Sequence, residues 1–268
     1  IEIKDNIFII AKDGVKVTTS DGIEILANQS EYNKELKILN LTGDVTVFDT
    51  IEDLEIKSDF IVYNKLSEKI KSISNTNIKI KNTHFISGEN IIFNRRDSLI
   101  LSEKKTTITD NFKNKIKLKG FDYYVKDKIL KTIQMEFIDD QSNIYKSNNA
   151  MIDLSNERIA AKDIQIYFAE GDLGKNARLK GNSLISENDV SVIKNGIFTA
   201  CEIREKCPPW TLKSEEIKHD KKKKTISYKD AWLQLYDIPI FYFPKFFHPD
   251  PTVKRQSGFL TPSLINSS

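Results

Sequence analysis

The sequence predicts an all-β protein, an elongated antiparallel β-jelly roll of stacked repeats about 30 residues long, closed by a Pro-rich C-terminal junction. Three observations carry that prediction. Short apolar/polar alternations run from Ile1 to about residue 200. An aromatic or aliphatic anchor returns every 30 or 31 residues. All seven prolines lie between Pro208 and Pro262. The expected division is a jelly roll over residues 1–230 and a junction over 231–268.

The alternation comes first in chain order. Ile1-Glu2-Ile3-Lys4, Val15-Lys16-Val17-Thr18, Leu54-Glu55-Ile56-Lys57, Ile78-Lys79-Ile80-Lys81 and Ile116-Lys117-Leu118-Lys119 each place apolar side chains on one face. Successive side chains on a strand point to opposite faces, so each run buries one side and wets the other. β-Branched residues dominate, as suits a pleated, half-buried surface. No helical period competes.

The repeat is marked by Tyr32, Tyr63, Phe93, Tyr124 and Leu154, whose numbers differ by 31, 30, 31 and 30. A polar turn follows each aromatic. Asn33-Lys34 and Asn64-Lys65 supply its chemistry, since Asn tolerates left-handed backbone. A unit of this size cannot bury its own apolar face and must stack on its neighbours. Splayed, stacked sheets would enclose a long apolar groove. Each methylene of an alkyl chain moved from water into such a groove gains roughly 0.8 kcal/mol. Ile25, Val47, Phe60, Val62, Phe93, Ile116 and Ile166 are the expected inward contacts. The same residue types would serve any β core.

Composition narrows the function. Lys and Arg total 41 against 38 acidic residues, a net charge of +3, which does not suit a nucleic-acid binder. The one dense basic run, Lys221 to Lys224, reads as a solvated hairpin turn or as a contact for an anionic partner. No run of about 18 apolar residues encodes a membrane-spanning helix. The first residue, Ile1, is that expected of a mature or trimmed product. His84, His219 and His248 are scattered, and there is no phosphate loop or nucleophile elbow. The expectation is a non-enzymatic protein with no catalytic residue, no metal and no cofactor. Cys201 and Cys207 could close a small loop as a disulfide in an oxidising compartment, or stand as two thiols.

From Ala231 the chain turns aromatic and Pro-interrupted, and proline weakens strand pairing. The stretch Asp237-Ile-Pro-Ile-Phe-Tyr-Phe-Pro244, followed by Lys254-Arg-Gln-Ser-Gly-Phe-Leu-Thr-Pro262, resembles the junction motif of the LptD (OstA) family. Phe198-Thr-Ala-Cys201, Pro208-Pro209-Trp210-Thr-Leu and Glu216-Ile-Lys-His219-Asp220 precede it in family order, and the earlier repeats resemble the OstA-type β unit.

The resemblance implies a periplasmic jelly roll that receives lipopolysaccharide, holds its lipid A acyl chains in the groove and passes it to an outer-membrane β-barrel. It implies an LptA-type bridge protein at the N-terminal edge and an LptE-type lipoprotein reached through the barrel. The location would be the cell outer membrane, with this region on its periplasmic side. Pro239 and Pro244 match the prolines that loosen the barrel's lateral gate. The barrel itself would begin after Ser257-Gly-Phe-Leu260. Family members carry a cysteine like Cys201 that bonds to the barrel, and Cys207 is the candidate local partner here. Two other readings are a soluble LptA-type bridge protein and a carbohydrate-binding or adhesin β-solenoid with an exposed aromatic platform.

Overall fold

The structure is a computed structural model that describes residues 1–111, 115–139, 142–169, 176–201, 208–250 and 253. The fold is all-β, and no described residue is helical. Two compact units divide the chain, Ile1–Ile133 and Gln134 onward.

Unit one opens with five short strands: β1 (Glu2–Lys4), β2 (Phe8–Ala11), β3 (Val15–Thr18), β4 (Ile23–Ala27) and β5 (Gln29–Asn33). The long strands β6 (Ile38–Asp49) and β7 (Leu54–Asn64) follow. Four short ones come next, β8 (Lys69–Ser72), β9 (Asn75–Ile80), β10 (His84–Glu89) and β11 (Ile92–Asn94), and then β12 (Leu99–Asp110) and β13 (Lys115–Tyr124). Strand β14 (Ile129–Ile138) contains the unit boundary.

The long strands each serve two layers. The second half of β6 pairs with β4, and its first half pairs with β5. The first half of β7 pairs with β9 and the second with β8. Likewise β12 pairs with β10 at its end and β11 at its start. A two-layered antiparallel jelly roll results, with β3-β4-β6-β7-β9-β10-β12-β13 in one layer and β1-β2-β5-β6-β7-β8-β11-β12-β13 in the other.

The strand crosses between layers at a bulge. In β6 this falls at Gly43 (φ 78°) and Asp44 (φ 45°), where the register against β7 shifts. The burial phase of β7 slips there by one residue. Leu54, Ile56 and Ser58 are buried before the crossing, Ile61 and Tyr63 after it. One extra residue exchanges the faces of everything that follows.

Unit two is a meander of β15 (Ile144–Asp153), β16 (Arg158–Tyr167), β17 (Arg178–Glu187), β18 (Val190–Thr199), β19 (Trp210–Asp220), β20 (Thr225–Leu235) and β21 (Ile238–Pro249). Each strand pairs antiparallel with the next. Phase slips recur at Asn149, Asp163, Asn195 and Asp230, all with φ near 50°. Asn and Asp enter that left-handed region more readily than other side-chain-bearing residues.

The turns correct one expectation. Asn33 and Asn64 do not adopt the left-handed backbone. Each accepts hydrogen bonds through Oδ1 from the amides two and three residues on. The left-handed residue comes four positions later, at Lys37 (φ 54°) and Glu68 (φ 54°), and again at Ser98, Lys128 and Glu157. An Asx acceptor followed by a four-residue loop closes the hairpins after Asn33, Asn64 and Asp153. The repeat anchor shifts as well: Tyr123 and Ile152 are buried where Tyr124 and Leu154 are half-buried. Successive turns are fastened by backbone bonds, Lys65 N to Lys37 O, Arg95 N to Glu68 O and Val125 N to Ser98 O.

The Pro-rich stretch is a strand rather than an interrupted connector. Along its whole length β21 pairs with β20, and β20 itself runs across position 230. Pro239 falls beside a register shift, and Pro244 stands opposite the left-handed Asp230, between the Phe243–Ala231 and Lys245–Lys229 pairs. Prolines at bulges withhold few ladder bonds.

Candidate functional site

The interior of unit one is built from two cross-strand ladders. In the first layer Val17, Ile25, Val47, Ile56, Ile78, Ile86, Ile108 and Ile116 stand directly opposite one another across eight strands. Every member is β-branched, so adjacent side chains interlock along the row. In the second layer the ladder mixes aromatics: Tyr32, Leu39, Tyr63, Ile70, Phe93, Ile100 and Tyr123. Between them the ladders form a continuous apolar interior, and Ile25, Val47, Phe93 and Ile100 are fully buried.

The expected contacts distribute as follows. Ile25 and Val47 face each other, Ile116 closes the same ladder half-buried, and Phe93 lies in the second ladder. Ile166, fully buried, belongs to unit two, between Tyr145 and Leu179. Phe60 and Val62 are not inward. The phase slip in β7 puts them on the outer surface, opposite Thr42 and Asn40, and gives the interior Ile61 and Tyr63 instead.

At the turn edges the two layers meet through polar side chains that the sequence did not single out. Arg95, in the turn after β11, has only 7% of its side chain exposed. Its Nε donates to Asp49 Oδ2 (2.6 Å), its Nη1 to Asp21 Oδ2 (2.7 Å) and its Nη2 to the Asp21 carbonyl (2.8 Å). Asp49 closes β6 on the opposite layer, with its other oxygen accepting the amides of Ile51 and Glu52. Glu52 in turn accepts from Ser98 and pairs with Lys126 Nζ at 3.4 Å. Burial opposes the charge on Arg95, but its hydrogen bonds to Asp49 and Asp21 more than offset that and raise its pKa. The Asp21 carboxyl is held below its ordinary range, chiefly by Thr19 and then by Arg95. Tyr63 places a buried hydroxyl within electrostatic reach of Asp21 and Arg95, and burial raises its pKa.

In unit two the interior is aromatic. The Phe198 ring, fully buried, sits 4.9 Å from His248, 6.1 Å from Trp210 and 6.3 Å from both Phe168 and Tyr228. The Tyr228 hydroxyl bonds His248 Nε2 at 2.7 Å, and buried His219 pairs with Asp250 through Nε2. Burial lowers the pKa of His248 and raises that of Tyr228 well above its usual value. The outer aromatics of β20 and β21 contrast with this: Trp232, Phe241, Tyr242 and Phe247 are exposed. Cys201 is half-buried, its carbonyl taking a hydrogen bond from Arg178. Cys207 lies outside the described residues, as does the Lys254–Pro262 part of the junction motif.

Ladders, lips and stacked turns define the class: a two-layered β-jelly roll with an apolar interior closed by an ionic edge. Comparison with known proteins shows what the chain is similar to. LPS-assembly protein LptD of Pseudomonas aeruginosa is 34% identical over 109 residues, 40% of this chain and 11% of the relative. Its namesake from Pseudoalteromonas translucida is 30% identical over 128 residues, 48% and 16%. That of Escherichia coli K12 is 32% identical over 107 residues, 38% and 13%. The chain is thus similar to these LptD proteins over part of its own length and spans no more than about a sixth of theirs. No protein-family model matches it.

Proposed function

We propose that this chain is a non-enzymatic lipopolysaccharide conduit on the periplasmic side of the outer membrane. It takes lipid A acyl chains between its two ladders and delivers them to a β-barrel. The observation that carries the reading is the uninterrupted row of eight β-branched residues from Val17 to Ile116. Such a row offers alkyl chains apolar contact at every strand, and no polar group interrupts it. Filling the interior requires the layers to part, since the ladder residues are packed against one another. The relatives' role in LPS assembly supports the cargo.

In this reading an LptA-type bridge protein delivers at the N-terminal edge, and an LptE-type lipoprotein acts on the barrel. Pro239 and Pro244 ease strand separation near the barrel's lateral gate. Cys201 pairs with Cys207 or with a barrel cysteine. Photocrosslinking groups placed one at a time at Val47, Ile86 and Phe93, and at outward Lys57 and Phe60, test the groove. Lipopolysaccharide should be captured by the first three. Capture at the outward pair alone would overturn the proposal.

A further inference from the structure

The lips of unit one are oppositely charged. The opposition is one of net charge: the stacked turns of one lip carry Lys34, Lys65, Arg95, Arg96 and Lys126 in excess over Glu35, Glu68, Asp97 and Asp127, and the other lip carries Asp21, Asp49, Glu52 and Asp53 in excess over Lys81. Where they touch, the contact is Arg95 with Asp49 and Asp21, and Lys126 with Glu52. A chain entering the apolar interior from this edge must break those contacts. Breaking a buried pair leaves an unpaired guanidinium, which is costly unless another anion takes the carboxylates' place. Phosphate is suited to that exchange. It presents several acceptor oxygens to the planar guanidinium fork and binds it in the same two-pronged geometry as a carboxylate.

We infer that Arg95 is the anion-binding residue of the groove's entrance, and that a phosphate-bearing headgroup opens the lips by displacing Asp21 and Asp49 from it. The inference rests on the conduit reading above and adds a recognition step to it. Acyl chains supply the affinity of the interior. The headgroup phosphate decides whether the interior becomes accessible. Asp21, whose side chain is 42% exposed, is the partner displaced first, while Asp49, 1% exposed, leaves last.

The experiment is performed on the full chain with three probes: lipid A bearing its phosphates, the same lipid dephosphorylated, and inorganic phosphate. Binding is measured alongside hydrogen exchange at the Ile51 and Glu52 amides, which the Asp49 carboxylate protects. Phosphorylated lipid should bind at least about tenfold tighter than dephosphorylated lipid, the ratio expected for one charge-assisted bidentate contact. It should also accelerate exchange at these two amides. Arg95→Gln should bring the ratio close to one, and Arg95→Lys, which keeps the charge and is the safer variant for folding, should reduce it. Asp21→Asn should raise the ratio, because a competing carboxylate is gone. A merely structural latch would move all three variants in one direction. Acceleration by inorganic phosphate alone would identify the anion as sufficient; acceleration only by the phosphorylated lipid would identify the headgroup as the source. Equal binding and equal exchange with both lipids would overturn the inference while leaving acyl capture intact. Loss of capture for both lipids would count against the conduit itself.

Discussion

The two units are both antiparallel and bulged, and their interiors are closed by different chemistry. Unit one is lined mainly by aliphatic side chains and joined at its lips by Arg95 and carboxylates. Unit two is filled by interlocking rings around Phe198 and tied by Tyr228–His248 and His219–Asp250. Aliphatic rows have no preferred ring geometry, and ion pairs can exchange partners. An aromatic cluster loses its offset and edge-on contacts as soon as it is spread. On the conduit reading proposed above, the openable interior belongs to unit one and the fixed one to unit two.

The sharpest way to break this contrast is Phe198→Ala. Removing a fully buried ring at the centre of four others should cost about 3–5 kcal/mol. Hydrogen exchange should then show unit two unfolding first, with unit one retaining its protection. Loss of protection in both together would mean that the aromatic cluster is not specific to its unit.

Next in size is the latch. Asp49→Ala strands a buried guanidinium and removes the turn acceptor, for an expected loss of about 3 kcal/mol. Asp21→Ala, at a largely solvated partner, should cost under about 1 kcal/mol. Urea denaturation of the two variants gives both numbers, and equal losses would argue against the order of displacement inferred above.

Acidity separates the units further. His248 has a folded pKa below its ordinary 6.5, because burial disfavours its charged form. The unfolded chain therefore takes up this proton first as pH falls. The stability that neutral His248 contributes is complete above about 6.5 and is lost as pH falls through the folded value. Asp21, with its lowered pKa, contributes fully above 3.8 and loses its share only below that. His84 in unit one shifts like His248 but is half-exposed, so solvent screening leaves it a smaller effect. Unit two should accordingly weaken as pH falls below about 6.5, before the lips do. His248→Gln, which keeps an acceptor for Tyr228, should flatten that slope; an unchanged slope would place the proton elsewhere.

Much of the fold was legible in the sequence because both of its signals are local. Alternation reports which residues form strands, and the aromatic-Asn pair reports where hairpins turn. The phase slips were not legible. At Asp44, Asn149, Asp163, Asn195 and Asp230 a short polar residue adopts a left-handed backbone inside what reads as one strand. The side chain that makes this possible looks, in sequence, like any outward residue. The latch was hidden for a related reason. Asp49 occupies the same Asx position as Asn33 and Asn64, yet its second oxygen faces Arg95, 46 residues away. A turn motif predicts the first oxygen's bond and says nothing of the second's.

The smallest expected effect tests the least visible of these features. Phe60 has the size and hydrophobicity of a core residue, and simple alternation from Leu54 and Ile56 places it inside. The slip between Ser58 and Ile61 puts it opposite Thr42 on the outer surface instead. Phe60→Ser should therefore cost under about 1 kcal/mol, as for a surface substitution. Ile61→Ser, one residue on and fully buried, both leaves a cavity and buries a hydroxyl, for about 3 kcal/mol or more. If the two costs were reversed, β7 would run through without its slip, and its inward face would be Phe60 and Val62 after all. The ladders would then lose Tyr63, and with it the hydroxyl that stands beside Arg95.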